Sequence, residues 1–190
     1  MRFKKLAAFS FVSVFLALTV GAQTPIKDIA SVFAEGKIHG YEYTNDYFGL
    51  TLTAVNAQFT EGGFVSSEGK RARLIDAQCN AESWGDKYEI AILADALSAN
   101  PLVLSPEQYV RSVRHELERE GMVTVDEESP IEISGLRFVR AALKVTGQAQ
   151  THYQGIYTTF LNGYILSIQI EAPTSERLNQ IVLSTVKFKN

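Results

Sequence analysis

The chain has 190 residues, the size of one ordinary globular domain with its own buried core. Its content of 46% hydrophobic and 21% charged residues excludes a disordered or a fibrous chain. The formal net charge of −3 offers no concentrated basic surface for a phosphate backbone, so we expect no nucleic-acid partner.

The first 22 residues have the layout of a secretory signal peptide. Arg2, Lys4 and Lys5 form a basic start, an uncharged apolar run extends from Leu6 to Val20, and Gly21-Ala22 completes a cleavage site of small residues. The alternative is an uncleaved membrane anchor, but the run is shorter than the roughly 20 residues that span a bilayer. We therefore expect cleavage after Ala22, no membrane span in the mature chain, and a bacterial protein that is periplasmic or extracellular.

Cleavage would also change the charge and leave one cysteine. It removes three of the 18 basic residues, which leaves 15 against 21 acidic residues and a formal net charge of −6. The single Cys79 cannot form an internal disulfide, so the exported domain depends on its hydrophobic core. No base stands near Cys79 in the sequence, and we interpret it as a packed small residue.

The mature chain is predicted to consist of a lead-in, residues 23–40, and a single domain, residues 41–190. The lead-in has helical spacing and is predicted to form a short helix that ends near Gly36. In the domain, alternation over Phe48 to Ala54 predicts a strand, and Arg71 to Gln78 a second one. Tyr88 to Asp95 is apolar on both faces, which is typical of a central strand.

The clearest helix begins at Ser105, a natural N-cap that is followed by Pro106. Gln108 is placed to complete a capping box, and Leu104 and Tyr109 are spaced for a hydrophobic staple. Tyr109, Val110, Val113 and Leu117 form its apolar stripe, Gly121 ends it, and Glu107 and Arg111 are spaced for an ion pair.

The rest of the chain predicts strands and one more helix. Residues 126–130 are interpreted as an acidic turn, and Leu136 to Thr146 as a strand. Asn162-Gly163 favours a type I′ hairpin turn, which would pair Leu161 with Tyr164. Pro173-Thr174-Ser175 introduces a last helix with Leu178, Ile181, Val182 and Thr185 on its inner stripe. This order predicts an α+β domain, an antiparallel β-sheet flanked by helices.

Two stretches resemble PsbP-like proteins. Tyr43-Thr44-Asn45-Asp46-Tyr47-Phe48-Gly49-Leu50 is similar to their opening strand, and the end of the chain, from Gly163 through Ala172-Pro173-Thr174-Ser175 to Val186-Lys187-Phe188, is similar to the way they close. The usual Pro-x-Gly-Trp after the first strand is absent. The resemblance covers about Tyr41 to Phe188 and implies an α/β/α sandwich. The characterised members, a photosystem extrinsic subunit and a nuclear-import factor among them, are accessory and binding proteins.

No residues assemble a known catalytic, cofactor or metal motif, so we assign none of these sites. His115-Glu116 resembles the start of a zinc-protease helix, but Arg119 stands where the second histidine belongs. Gly62-Gly63 and Gly69 lack the Lys-Ser/Thr of a phosphate loop, and residues 126–128 lack the alternate ligands of a calcium loop.

Two weaker features remain as hypotheses. Trp84 lies in a polar loop and would be a contact anchor if it were exposed. Arg137, Arg140 and Lys144 lie on one predicted strand and would form a small anion-binding strip.

The sequence therefore predicts an exported, non-enzymatic binding or accessory protein with an unknown protein or small-molecule partner and no cofactor. Two alternatives stay open. One is a periplasmic hydrolase with a site assembled from distant loops, built around His152 beside Tyr153. The other is a structural subunit of an envelope complex, which predicts a contiguous exposed apolar patch.

Overall fold

The computed structural model describes residues 27–64, 70–145 and 151–189. The predicted signal peptide, residues 1–22, lies outside these ranges. The helices are α1 (Ile29–Ala34), α2 (Pro106–Arg119) and α3 (Ser175–Thr185), with short 3-10 turns at Trp84–Asp86 and Leu97–Ala99. The strands are β1 (Gly36–His39), β2 (Glu42–Asn45), β3 (Leu50–Thr53), β4 (Ala57–Phe64), β5 (Arg71–Cys79), β6 (Tyr88–Ala96), β7 (Val123–Ile133), β8 (Leu136–Val145), β9 (His152–Leu161), β10 (Tyr164–Ala172) and β11 (Val186–Phe188).

The strands form two antiparallel sheets. The large sheet has the order β4-β5-β6-β10-β9-β8-β7, and the small sheet has the order β1-β2-β3-β11. One face of the large sheet, the core face, packs against α1, α3 and the small sheet and carries most of the buried apolar side chains. The other face, the α2 face, packs against α2 over β7, β8 and β9. The fold is mostly antiparallel β-sheet with a few helices, an α+β or mostly-β architecture. None of the helices in the described ranges has the length and apolar character needed to cross a membrane.

The strongest local predictions are confirmed. Asn162 and Gly163 have φ of 52° and 84°, and the hairpin pairs Leu161 with Tyr164 as the two-residue turn requires. The strand after Arg71 is present, and β6 lies inside the sheet between β5 and β10. The inner stripe of α3 is buried as predicted.

The predicted acidic turn at residues 126–130 is wrong, because these residues lie within the edge strand β7. The pairing of β7 with β8 shifts register twice between Thr124 and Ser129, and such bulges leave extra residues that do not fit a regular alternation. Pro130 is tolerated because an edge strand does not need every N–H for the ladder. Gly62 and Gly63, weighed above as part of a phosphate loop, lie inside β4.

The N-terminus of α2 is only partly as predicted. Ser105 Oγ accepts a hydrogen bond from the Gln108 N–H at 3.2 Å, but the Gln108 side chain accepts from Leu104 N–H at 2.9 Å. Leu104 is 82% exposed, so the predicted hydrophobic staple is absent. Glu107 lies 4.0 Å from Arg137 and Arg111 lies 3.5 Å from Glu128, so both take partners outside the predicted pair.

Residues 27–40 pack on the rest of the chain. The predicted short helix is α1, where the Asp28 carboxylate accepts the Ser31 N–H at 2.8 Å and Ile29 and Val32 are buried in the core. The strand β1, which was not predicted, follows it and pairs with β2. The hairpin of β1 and β2 therefore crosses residue 41, where the sequence places the start of the domain.

A buried polar contact fixes α2 on the sheet. Tyr109 Oη donates to Asp95 Oδ2 at 2.7 Å, and Asp95 on β6 is buried. Arg71 Nε lies 3.2 Å from Asp95 Oδ1 but is not aligned for a hydrogen bond. Burial raises the pKa of Asp95, and the bond from Tyr109 and the charge of Arg71 oppose that rise. The first turn of α2 lies over this contact, and the helix then extends over β7, β8 and β9. Much of β4, β5, β6 and β10 is therefore left uncovered.

Candidate functional site

The uncovered part of the α2 face is a polar depression in the sheet. A cavity of about 330 Å³ lies over β4, β5, β6 and β10, and a second of about 420 Å³ lies at the end of the sheet where β5 ends and β6 begins. Both volumes are in the range of small-molecule sites. The two cavities share Gln78, Glu89 and Glu171, and we call the combined depression the polar cleft.

Strand register brings four polar side chains into one line across the cleft. Gln78 on β5 is opposite Glu89 on β6, Glu89 is opposite Glu171 on β10, and Glu171 is opposite Gln154 on β9. Neighbouring strands are about 4.8 Å apart, so this line spans about 14 Å. We call Gln78, Glu89, Glu171 and Gln154 the carboxylate row, since two carboxylates stand at its centre with an amide on each side.

The two carboxylates have different surroundings. Gln78 Nε2 donates to Glu89 Oε1 at 2.5 Å. Glu171 Oε2 lies 3.7 Å from His152 Nε2, which is longer than a hydrogen bond. Burial raises the pKa of Glu171, the nearby His152 opposes this rise, and the like charge of Glu89 adds to it. The centre of the row therefore carries two like charges that face each other.

Gln154 is the most buried member of the row. It is only 8% exposed, it lines the cleft, and among the hydrogen bonds of the described residues its side-chain amide has none. Gln154 thus offers one donor and one acceptor group to the cleft.

The rest of the cleft combines apolar walls with paired charges. Cys79, Tyr88, Met122, Val145 and Pro173 line the end cavity. Burial raises the pKa of the Tyr88 hydroxyl, and the adjacent Cys79 contributes to this rise. Further along the cleft, Arg73 Nη1 lies 3.0 Å from Asp76 Oδ1, so this pair largely cancels its own charge.

Cys79 itself is buried and unpaired by a disulfide, which confirms its interpretation as a packed residue.

Two of the three histidines that the sequence offers lie apart from the cleft. His115 is exposed on α2 with Nε2 3.2 Å from Arg114 Nη2, and His39 is exposed on β1. His152 lines the end cavity, but Tyr153 follows it on β9 and so projects to the opposite face of the sheet. The structure thus separates His152 from the hydroxyl that the hydrolase hypothesis placed beside it.

Two of the three cations of the predicted anion-binding strip, Arg137 and Arg140, lie beside carboxylates. Arg140 Nη1 lies 3.3 Å from Asp126 Oδ2 and also donates to Asn179, and Arg137 lies 4.0 Å from Glu107. Each guanidinium therefore already has a carboxylate. The hypothesis for the side chain of Trp84 falls outside what the structure describes.

The exposed apolar side chains are mostly scattered. Leu102 and Leu104 are the two most exposed of the large apolar residues described, at 83% and 82%, and both lie in the loop before α2. Val123 and Val125 are partly exposed on the edge strand β7. Single exposed apolar residues are normal on a monomer.

Sequence reasoning missed the carboxylate row. The polar residues of β10 that alternate with Ile168 and Ile170, namely Gln169 and Glu171, are a visible signal of a solvated face. Nothing local shows that β10 pairs with β6, which is distant in the chain. The opposition of Glu89 and Glu171 depends on that pairing.

Comparisons with known proteins place the chain in no family. No protein-family model matches it, and no curated protein matches it. It is similar to a crystal structure from Bacteroides thetaiotaomicron, with a TM-score of 0.45 and 10% identity, over 80% of this chain and 50% of that chain, so it spans about half the length of that protein. It is also similar to LpqN of Mycobacterium tuberculosis, described as involved in cell envelope biogenesis, with a TM-score of 0.44 and 11% identity over 74% of this chain and 83% of that chain. The PsbP-like resemblance is not confirmed by these comparisons and stays a prediction.

Proposed function

We propose that this chain is an exported, non-enzymatic binding protein that takes a polar ligand in the polar cleft. The observation that carries the proposal is the alignment of Gln78, Glu89, Glu171 and Gln154 in one line across the cleft, two carboxylates with an amide on each side. A ligand with hydrogen-bond donors would meet acceptors along this line, and the amide of Gln154 can donate as well. The ligand would lie across β5, β6, β10 and β9.

The proposal includes the export route and the domain division. Cleavage after Ala22 would leave residues 23–190, with the lead-in 23–40 and a PsbP-like domain 41–190 of the α/β/α sandwich type. The layout of residues 1–22 supports the first part. The antiparallel sheet with α2 and α3 on opposite faces supports the second.

Fractionation of expressing bacterial cells tests the export. We expect the protein outside the cytoplasm with Gln23 as its first residue, as read by mass spectrometry. A cytosolic protein that retains Met1 would contradict this part of the proposal.

Nuclear magnetic resonance tests the binding. The isotope-labelled chain 23–190 is titrated with three named probes, N-acetylglucosamine, glucosamine and spermidine, and backbone amide shifts are followed. We expect at least one probe to shift amides of β5, β6, β9 and β10 around the carboxylate row, and to remain chemically unchanged after long incubation. If none of the probes moves these amides, or the shifts scatter over the surface, the binding site is wrong.

A hydrolase centred on His152 is the alternative function. It is supported by the position of His152 in the end cavity, 3.7 Å from a carboxylate oxygen of Glu171. It predicts turnover of an ester such as p-nitrophenyl acetate that is lost in His152→Ala. We expect no turnover above that of the H152A variant.

A further inference from the structure

The two edge strands of the large sheet, β7 and β4, differ in how they are protected. Edge strands of soluble proteins carry charges, proline or bulges, because their outward N–H and C=O groups would otherwise pair with another strand. The strand β7 has all three features, namely four acidic residues, Pro130 and two shifts of register against β8. It also packs against α2. We therefore expect no further strand to add at β7.

The strand β4 has one charge and neither of the other two features. Glu61 is the only charged residue in Ala57–Phe64, and the strand contains no proline. Its pairing with β5 keeps one register from end to end, and β5 is the only described strand that pairs with it. In an antiparallel ladder, alternate residues of such a strand direct their N–H and C=O groups away from the sheet. The strand β4 is therefore an even edge of eight residues that is open to pairing.

A second copy of β4 fits this edge. Two antiparallel β4 strands would be related by a two-fold axis perpendicular to the sheet, and two-fold symmetry is the commonest symmetry of homodimers. Opposite residues of an antiparallel pair lie on the same face of the sheet, so their two residue numbers add up to an even number. Two registers of this kind pair seven of the eight residues, 57–63 with 57–63 and 58–64 with 58–64. The second register places Glu61 opposite Glu61, and like charges in this position destabilise a sheet.

The first register brings compatible side chains together. Thr60 lies on the axis opposite Thr60 of the second copy, and cross-strand threonine pairs stabilise a sheet. Glu61 is then opposite Phe59, and Gln58 is opposite Gly62, so no like charges meet along the strand. In the single chain Thr60 is exposed and Phe59 is half-buried, so both have surface that a second strand would cover.

From this edge and its register we propose that β4 pairs with β4 of a second copy of this chain, with Thr60 on the two-fold axis. The pairing joins the two seven-stranded sheets into one continuous sheet. Gln58 and Thr60 line the border of the polar cleft, and the axis keeps the clefts of both copies on the same face. The two clefts would therefore adjoin across the paired β4 strands. The inference goes beyond the proposed function and does not depend on the ligand.

Two measurements on the unaltered chain 23–190 test the pairing. We expect the sedimentation coefficient to rise with protein concentration from that of a monomer toward that of a dimer. We also expect backbone amides within residues 57–63 to exchange hydrogen more slowly at high than at low protein concentration, because alternate N–H groups gain an acceptor on the second copy. A chain that stays monomeric up to about 1 mM would overturn the inference.

Variants at the axis locate the contact. Thr60→Lys and Thr60→Asp each place two like charges opposite each other, and we expect each to weaken self-association at least about fivefold. An equal mixture of the two variants should associate again, because opposite charges then face each other across the axis. Val125→Lys adds a charge to a partly exposed residue of the other edge strand, β7, and is the matched control, with no change expected. Circular dichroism shows that each variant is folded.

Two results with the variants would also overturn the inference. If the mixture of Thr60→Lys and Thr60→Asp associates no better than either variant alone, position 60 does not face its counterpart in a second copy. If Val125→Lys weakens self-association as much as Thr60→Lys does, the copies meet through β7 or respond only to overall charge. The hydrogen-exchange comparison uses the unaltered chain, so it decides the question even if a variant at Thr60 fails to fold.

Discussion

Gly62 on β4 lies against the backbone of β5. At this place the pairing of β5 with its other neighbour, β6, shifts register between Arg73 and Ile75. A Cβ atom at Gly62 would lie 1.7 Å from the carbonyl oxygen of Arg73, whereas a Cβ atom at Gly63 would meet nothing within 4 Å. There is therefore no room for a side chain at position 62, whereas a side chain at position 63 would meet no neighbouring atom.

The two glycines form a matched pair of variants. We expect Gly62→Ala to lower the free energy of unfolding by about 2 kcal/mol, because the added methyl group must push two hydrogen-bonded strands apart. Gly63→Ala should change it by less than about 0.5 kcal/mol. Urea unfolding followed by circular dichroism measures both. Equal effects of the two variants would contradict the close approach.

Glu171 makes stability depend on pH. Burial and Glu89 raise its pKa above the ordinary value of 4.5 in the folded chain, so just above that pH the folded state binds more protons than the unfolded state. Its contribution to the free energy of unfolding is therefore present at lower pH and is lost as pH rises through the raised pKa.

The difference in free energy of unfolding between the wild type and Glu171→Gln isolates this contribution. We expect that difference, wild type minus variant, to fall as pH rises from about 4 to about 7. Carboxylates whose pKa is lowered in the folded chain, such as Glu128, make the free energy of unfolding rise with pH instead. The wild type and Glu171→Gln both contain them, so their contribution cancels in the difference. A difference that is constant or rises with pH would show that the pKa of Glu171 is not raised.

At the scale of the elements, the two long helices begin differently. In α2, Ser105 Oγ accepts the N–H of Gln108 at 3.2 Å. In α3, Thr174 occupies the N-cap position but its side chain makes no capping hydrogen bond. The first turn of α2 therefore depends on its cap, while α3 is held mainly by its four buried residues.

The two caps predict different costs of truncation. We expect Ser105→Ala to lower the free energy of unfolding by about 1 kcal/mol, because an N–H of the first turn loses its acceptor. Thr174→Ala serves as the control and should cost clearly less. Thermal and urea unfolding of the two variants measure the difference, and a larger effect of T174A would reverse the assignment.

The elements that the sequence predicted correctly are those whose own residues fix a turn or a boundary. The Asn162-Gly163 turn sets its own register through two positive φ angles, and the Ser105-Pro106 start of α2 sets its own boundary. The strands that were missed lack such signals. β1 and β2 are four residues each, β4 contains Gly62-Gly63, and β7 is acidic and bulged.

The candidate site was less predictable than the fold. The side chains of the carboxylate row come from β5, β6, β9 and β10, and their alignment depends on which strands are neighbours and in which register. The sequence supports the register of β9 with β10, since a two-residue turn joins them. β6 and β10 are neighbours in the sheet although α2, β7, β8 and β9 lie between them in the chain. No local sequence pattern predicts this pairing.

At the scale of the whole molecule, the segment before residue 41 is part of the core. Ile29 and Val32 are buried, and the carbonyl of Val32 accepts the side-chain N–H of the fully buried Asn45 at 2.9 Å. The carbonyl of Lys27 accepts the hydroxyl of Tyr164. Loss of this segment would expose apolar surface and leave the side-chain N–H of Asn45 with only its longer bond to the Tyr43 hydroxyl at 3.4 Å.

A truncated chain tests this dependence. We expect a chain that begins at Tyr41 to lose about 3 to 6 kcal/mol of unfolding free energy relative to one that begins at Gln23, because two buried aliphatic side chains are removed. Urea unfolding compares them. Equal midpoints would show that residues 41–190 are a domain that is stable without the lead-in.

The hydrogen bond between Tyr164 and the carbonyl of Lys27 also places the start of the described chain beside one end of strand β10. Tyr164 begins β10 and Glu171 stands near its other end, so seven residue steps, about 23 Å along the strand, separate them. A solid support or a dye coupled ahead of Lys27 would face one pole of the protein while the cleft opens toward the other. Immobilisation from the N-terminal side would therefore leave the ligand route unobstructed.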